Sequence, residues 1–435
     1  MMKKASIIII IIAVIILIVL GIFLLNKPSP NIIIPNQTTT PIDQINPIII
    51  NDTGATFQGV TNVVNADNQF AFKLYNKYKD KYKDSNIFYS SYSISTAIAM
   101  TYEGARGNTA DEMQKVFNFP KEDKIRRSAY AKIYNDLNKK DKNYTLSTAN
   151  AIWLEKTYSF LDEYKNTILN YYAGRATNLD FKTNTENSRI TINTWVEQNT
   201  NNKIKDLIPQ GVINQDTRMV LTNAIYFKGK WFDEFNKADT KEEDFTLSNN
   251  QKTPVQMMEK LGKKFNYAEK TDLQVLELPY QGEDLSMLVL LPKSNNINDA
   301  ESYLANDKMT DLRNMLLNNR VDVYLPKFKF ETKYMMADDL KQMGMPTAFS
   351  TSADFSGMDG MAGNLMISDV IHQAFVEVNE EGTEAAAATA VVVVATSAGP
   401  IETKTFRADH PFVFLIQEVK TGNILFIGKV ENPNK

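Results

Sequence analysis

Cysteine is absent from the 435-residue chain, and histidine occurs only at His372 and His410. Disulfides, thiolate nucleophiles, Fe–S clusters and cysteine zinc sites are therefore excluded. A polyhistidine metal site or a Ser-His-Asp triad has almost no material, so neither a metal, a cofactor nor an enzyme activity is expected. Excess basic charge is also missing: 48 Lys and Arg stand against 51 Asp and Glu, a net −3, so no global field would hold nucleic acid. No GxGxxG follows a strand run and no GxxxxGK(S/T) occurs, which leaves no phosphate cradle. What remains is 43% hydrophobic and 23% charged, the balance of a folded chain with a sizeable core.

Ala5 to Leu25 is uncharged and nearly all Ile, Val, Leu, Ala or Phe. As a helix it would be long enough to span a bilayer, and Lys3 and Lys4 before it would keep the amino terminus cytoplasmic. Residues 1–25 are thus expected to anchor the protein in the cell membrane as a single pass, with the rest outside. The competing expectation is a cleaved signal peptide and a secreted protein. Residues 26–61 carry Pro28, Pro30, Pro35, Pro41 and Pro47 and a Thr38-Thr39-Thr40 run, which reads as an extended linker. Its apolar patches, Ile32 to Ile34 and Ile48 to Ile50, are expected to dock on the domain or on lipid. Asn36, Asn51 and Asn143 begin N-x-T triplets, a pattern too short to carry weight alone.

Residues 62–435 read as one folded domain. Phe70, Leu74, Tyr78 and Tyr82 recur at helical spacing behind Asp67 and Asn68, an expected cap. Strand runs are expected at Val220 to Phe227 and Val321 to Leu325, as a pair at Leu273 to Pro279 and Leu285 to Pro292, and as a hairpin of Phe412 to Gln417 with Ile424 to Val430. Helices and strands mix without regular alternation, so the class is α+β.

The most informative stretch runs from Val378 to Pro400. From Ala385 to Ala398 it is uncharged, unlike a surface loop, and too short to span a membrane. Taken at period two, Thr383, Ala385, Ala387, Thr389, Val391 and Val393 share a face that suits packing beneath a sheet. A buried Ala/Val strand and an Ala-rich helix ending at the valines both remain open on pattern alone.

Glu380-Glu381-Gly382-Thr383-Glu384-Ala385-Ala386-Ala387-Ala388-Thr389 resembles the proximal hinge of inhibitory serpins. Phe406 to Ile416 resembles the signature that follows the family's reactive loop. The likeness continues through Asn86 to Ser90, Leu221 to Trp231 and Leu325 to Lys329, so it covers about residues 62 to 433. It implies a serpin-like α+β fold of three β-sheets and about nine helices with an exposed reactive loop. It also implies a suicide-type inhibitor: the protease attacks the loop, forms an acyl-enzyme, and is trapped as the loop inserts into the large sheet. A non-inhibitory serpin acting as carrier or chaperone is the alternative.

Counted along the loop as in the family, the reactive bond falls at Thr396 and Ser397, within a window from Val394 to Ala398. With no Arg, Lys or large aromatic there, the implied partner is a serine protease with a small or aliphatic pocket, elastase-like or subtilisin-like. The resemblance further implies a hydrogen-bonded shutter of Ser90, Ser93, Asn223 and His372, and a breach at Trp231 where insertion begins. Ser91 stands where the family usually has Pro, which is expected to soften the shutter. Lys124, Arg126, Arg127 and Lys132 cluster as a polyanion site would, although a solvated face is the stronger expectation. The chain is expected to be a monomer without nucleic-acid partners.

Overall fold

The computed structural model describes residues 49–139, 142–383 and 402–435. Among these, ten α-helices and fifteen strands fold as expected for the α+β class. The first helix, α1 (Phe57–Lys81), is capped by Thr56, whose hydroxyl accepts from the Gly59 amide, rather than by Asp67 and Asn68. Val60, Val63 and Val64 extend its apolar stripe a further three turns toward the amino terminus. Asp67 and Asn68 are buried inside it: the Tyr130 hydroxyl donates to Asp67, and Asn68 bonds the Gly422 carbonyl and the Ile424 amide. Upstream, Ile50 of the expected linker is buried and exchanges hydrogen bonds with Asn135, whereas Ile49 is exposed.

The helices α2 (Ser91–Gly104), α3 (Gly107–Phe117), α4 (Asp123–Leu137), α5 (Asp162–Tyr172) and α6 (Thr185–Asn199) follow, interleaved with β1 (Ile87–Tyr89), β2 (Tyr144–Glu155) and β3 (Arg175–Leu179). Next come β4 (Met219–Lys230), β5 (Lys241–Thr246), β6 (Lys252–Glu269), β7 (Leu273–Pro279), β8 (Leu285–Pro292), β9 (Leu317–Pro326) and β10 (Phe328–Met335). The chain ends with β11 (Ile367–Asn379), β12 (Gly382–Thr383), β13 (Lys404–Arg407), β14 (Phe412–Glu418) and β15 (Ile424–Val430). Both expected strand pairs, β7 with β8 and β14 with β15, are antiparallel neighbours.

One sheet runs β10-β11-β12-β4-β2-β3. The other two expected sheets are continuous by hydrogen bonding, because the long β6 pairs with β7 near its end and with β5 and β9 along its length. One hydrophobic core lies between the sheets and under α1 to α5, and a smaller one seats Ile192 and Val196 of α6 on Ala149, Trp153 and Val220.

The expected membrane localisation is corrected. No helix among the described residues is long and apolar enough to cross a membrane, and Ala5 to Leu25, which carried that expectation, lies outside the described residues.

Candidate functional site

The six-stranded sheet contains a track that is closed at one end and wedged open at the other. β4 and β11 are both rich in β-branched and apolar residues, buried on both faces, and pair in parallel from Ile367↔Met219 to Phe375↔Tyr226. Beyond that point they separate, and β12 fills the gap: Thr383 stands between Val378 and Gly229, and Gly382 between Asn379 and Lys230. The expected hinge thus begins as a strand within the sheet. Glu384 and Ala385 to Ala388, like Thr396 and Ser397, lie outside the described residues.

A tight turn at Glu380 and Glu381 makes this entry. The Glu381 amide donates to the Asn379 side chain (3.0 Å), a short-range bond that Asn supplies readily. Trp231 and Phe235 donate their amides to the Glu381 and Glu380 carbonyls at 2.9 and 2.8 Å, and the Trp231 indole donates to the Asn379 carbonyl at 3.0 Å. Gly382 has φ +148° and lies against the Gly229 carbonyl, where a Cβ would come within 2.1 Å. Only glycine fits. The Thr383 and Tyr280 hydroxyls are 2.7 Å apart, and Tyr280 stacks on Trp231 at 4.7 Å.

Charge surrounds this entry. Lys327 and the Thr240 hydroxyl reach Glu380 at 2.9 and 2.8 Å, and Lys237 pairs with Glu381. Burial opposes ionisation of Glu380, but Lys327, the backbone and Thr240 outweigh it and hold the carboxyl below the usual range.

The closed end is neutral. The structure brings together all four expected shutter residues, each buried. Ser90 caps α2 by accepting from the Ser93 amide (3.1 Å), and its hydroxyl donates to the Leu425 carbonyl (2.6 Å). Its amide donates to His372 Nε2 (3.1 Å), so the opposite nitrogen carries the proton and donates to Asn223 Oδ1. Asn223 Nδ2 donates to Ser93 Oγ at 2.6 Å and also to Asn150 Oδ1. Burial drives the His372 pKa down to about 3, so the ring is neutral at physiological pH.

Asn150 was not singled out from the sequence; its signal is a lone amide within the apolar run Ala149 to Leu154, and it lies opposite Asn223. Tyr280, Lys237 and Thr240 carried no pattern. Ser91 does not leave a gap: its buried hydroxyl donates to the Ile424 carbonyl at 2.8 Å. Of the basic cluster on α4, Arg126 is buried, Arg127 and Lys132 are half-buried and Lys124 is exposed. Arg126 binds Glu103 and Asp123, Arg127 binds Glu103, and Lys132 pairs with Asp136. The ring nitrogens of His410 face Asp409 and the Pro292 carbonyl at 2.8 and 2.7 Å, a tie between loop and β8 rather than a catalytic pair.

The profile of the family described as Serpin (serine protease inhibitor) matches residues 65–433. Human Serpin B3 is 44% identical over 85% of this chain and 98% of its own. The chain belongs to the serpin family. Human leukocyte elastase inhibitor is 41% identical over the same shares, and the crystal structure of uncleaved ovalbumin superposes with a TM-score of 0.78 at 34% identity, covering 86% of this serpin and all of ovalbumin. The family is thus described by the inhibition of serine proteases, and one of these relatives is named for the inhibition of elastase.

Proposed function

We propose that this serpin traps a serine protease as an acyl-enzyme by inserting its cleaved loop between β4 and β11. The observation that carries this reading is β12, two loop-proximal residues already seated as a strand in the separated part of the track. Each residue inserted beyond Thr383 would exchange one parallel β4–β11 pairing for two antiparallel ones, adding ladder hydrogen bonds and burying apolar surface. In that register Thr389, six residues further along, stands between His372 and Asn223. Thr383 faces the buried Tyr280, so alternation places Ala385, Ala387, Thr389, Val391 and Val393 on the same inward face. Small side chains precede β-branched ones, as a strand threading a closed sheet requires.

The reactive bond we assign is Thr396–Ser397, with an elastase-like or subtilisin-like partner. The absence of basic residues from Val391 to Ser397 and the likeness to the human leukocyte elastase inhibitor support this assignment. Incubating the full chain with elastase, subtilisin and trypsin, followed by denaturing electrophoresis, is the test. A denaturant-resistant complex with elastase or subtilisin, and cleavage after Thr396, is expected. Loop cleavage without a trapped protease would favour the carrier or chaperone reading. Trypsin as the fastest target would overturn the specificity.

A further inference from the structure

A cavity of about 290 Å³ opens beside the loop entry, between the end of β4, the β6–β7 region and the start of β9. Its wall is aromatic, with Trp231, Phe235 and Phe265 largely buried and Phe232 exposed over 58% of its surface. The facing edge carries Lys263 and Lys264, both exposed and without an ion-pair partner among the described residues. Arg320 stands opposite Lys264 across the β6–β9 ladder and adds to the same field. Of the nearby carboxylates, Asp233 pairs with Lys260, and Glu277 has both oxygens occupied by the neutral donors Asn266 and Ser286 at 2.9 and 2.8 Å, which leave its charge in place. Glu283 is the open carboxylate at the rim.

An aromatic wall facing unpaired lysines selects a small molecule with a ring body and an anionic head. The volume lies near the lower end of ordinary ligand cavities, about 300 Å³, which suits a compact ring system. Cation and apolar groups are then used together, each side chain contacting the part of the ligand it complements.

The position gives the cavity a consequence. Trp231 and Phe235 hold the Glu381 and Glu380 carbonyls through their amides, and the Phe232 amide holds the Pro279 carbonyl at 2.9 Å. A body wedged against Phe232, Phe235 and Pro279 bears on the peptides that grip the loop root. We propose that this cavity is a binding site for a small anionic aromatic molecule, an aryl sulfonate or carboxylate, and that occupancy changes how firmly Gly382 and Thr383 are held between β4 and β11. The binding part is independent of the inhibitory reading; the consequence for trapping rests on it.

The test titrates the full chain with anilinonaphthalene sulfonate in the absence of protease, for the natural sequence, Phe232→Ala and the double variant Lys263→Glu, Lys264→Glu. Saturable binding at one site, weakened about tenfold or more by each variant, is expected. Circular dichroism melts check folding, and the Lys263→Gln, Lys264→Gln pair replaces the double variant if it fails to fold. Unsaturable binding, or equal affinity across folded variants, would overturn the site. Amide hydrogen exchange at Gly382 and Thr383, with and without the probe, reads the coupling: a change in protection supports it, and identical exchange at saturation overturns it. Because neither measurement uses a protease, a failure here is distinct from a failure to trap one.

Discussion

The two ends of the β4–β11 track are built from opposite chemistry. At the open end, carboxylates meet lysines near the surface: Glu380 with Lys327, Glu381 with Lys237. At the closed end, Ser90, Ser93, Asn150, Asn223 and His372 make a neutral, buried network. Both carboxylates are buried, but their lysines reach water, Lys327 with 38% and Lys237 with 62% of the side chain exposed, so these pairs can rearrange from the lysine side. A charge at the closed end would have to be buried during passage, whereas neutral hydrogen bonds can be exchanged for others of similar strength. Ion pairs thus hold the entry, and neutral hydrogen bonds hold the far end.

The largest expected effect breaks the entry. Thr383→Arg would carry a charge beside buried Tyr280, in a position only 1% exposed. Since Thr383 is seated there already, the charge would expel β12 from its resting place, and insertion would then have to bury it at a cost of about 3 kcal/mol, slowing the step roughly a hundredfold. Hydrolysis then outruns trapping, and the inhibitor consumed per protease inactivated should rise at least tenfold. Unchanged stoichiometry, with a stable covalent complex, would remove Thr383 from the track.

Asn223→Ala attacks the closed end. It leaves the His372 proton without an acceptor and takes a donor from Ser93 and Asn150. About 3 kcal/mol of stability should be lost, readable as a lower denaturation midpoint. A loss well under 1 kcal/mol would show that the network is not what closes the sheet.

Acid separates the two ends by window. The folded pKa of His372 is lowered from 6.5 to about 3, so the unfolded chain takes up that proton first. The neutral ring's contribution is complete above pH 6.5 and is lost as pH falls toward 3. Glu380 is also held below its ordinary value of 4.5, so its contribution is lost only below that point. Denaturation midpoints should therefore fall from neutrality to pH 5 through His372, and Glu380→Gln should lower them without changing that slope; a flat profile in that range would separate the histidine from acid sensitivity.

The smallest expected change is Ser91→Pro. Proline suits the first position of α2, while the hydroxyl bond to Ile424 is lost. The two effects oppose each other, and stability should move by no more than about 1 kcal/mol. A larger loss would mean that the serine is an integral part of the closed end.

Much of the frame was legible before the fold was known. The strands β7, β8 and β15 match their apolar runs, because local patterning and turn residues dictate them. Asp67 and Asn68 misled as a cap because a polar pair beside a helical stripe looks the same whether it ends the helix or bonds to distant backbone. Tyr280, Lys237 and Asn150 act through partners far away in the chain, and no local pattern marks such a partner.

By itself the sequence determined the class, the family motifs, the uncharged loop arm and the absence of thiol chemistry, all properties of residue type and spacing. Tertiary structure alone decided that Gly382 and Thr383 already lie within the sheet, that Ser91 closes its own gap, and that Arg126 and Arg127 turn inward to Glu103. The reason is physical: pairing and burial depend on which segments meet in space, and a side chain's role follows from the partner it finds there.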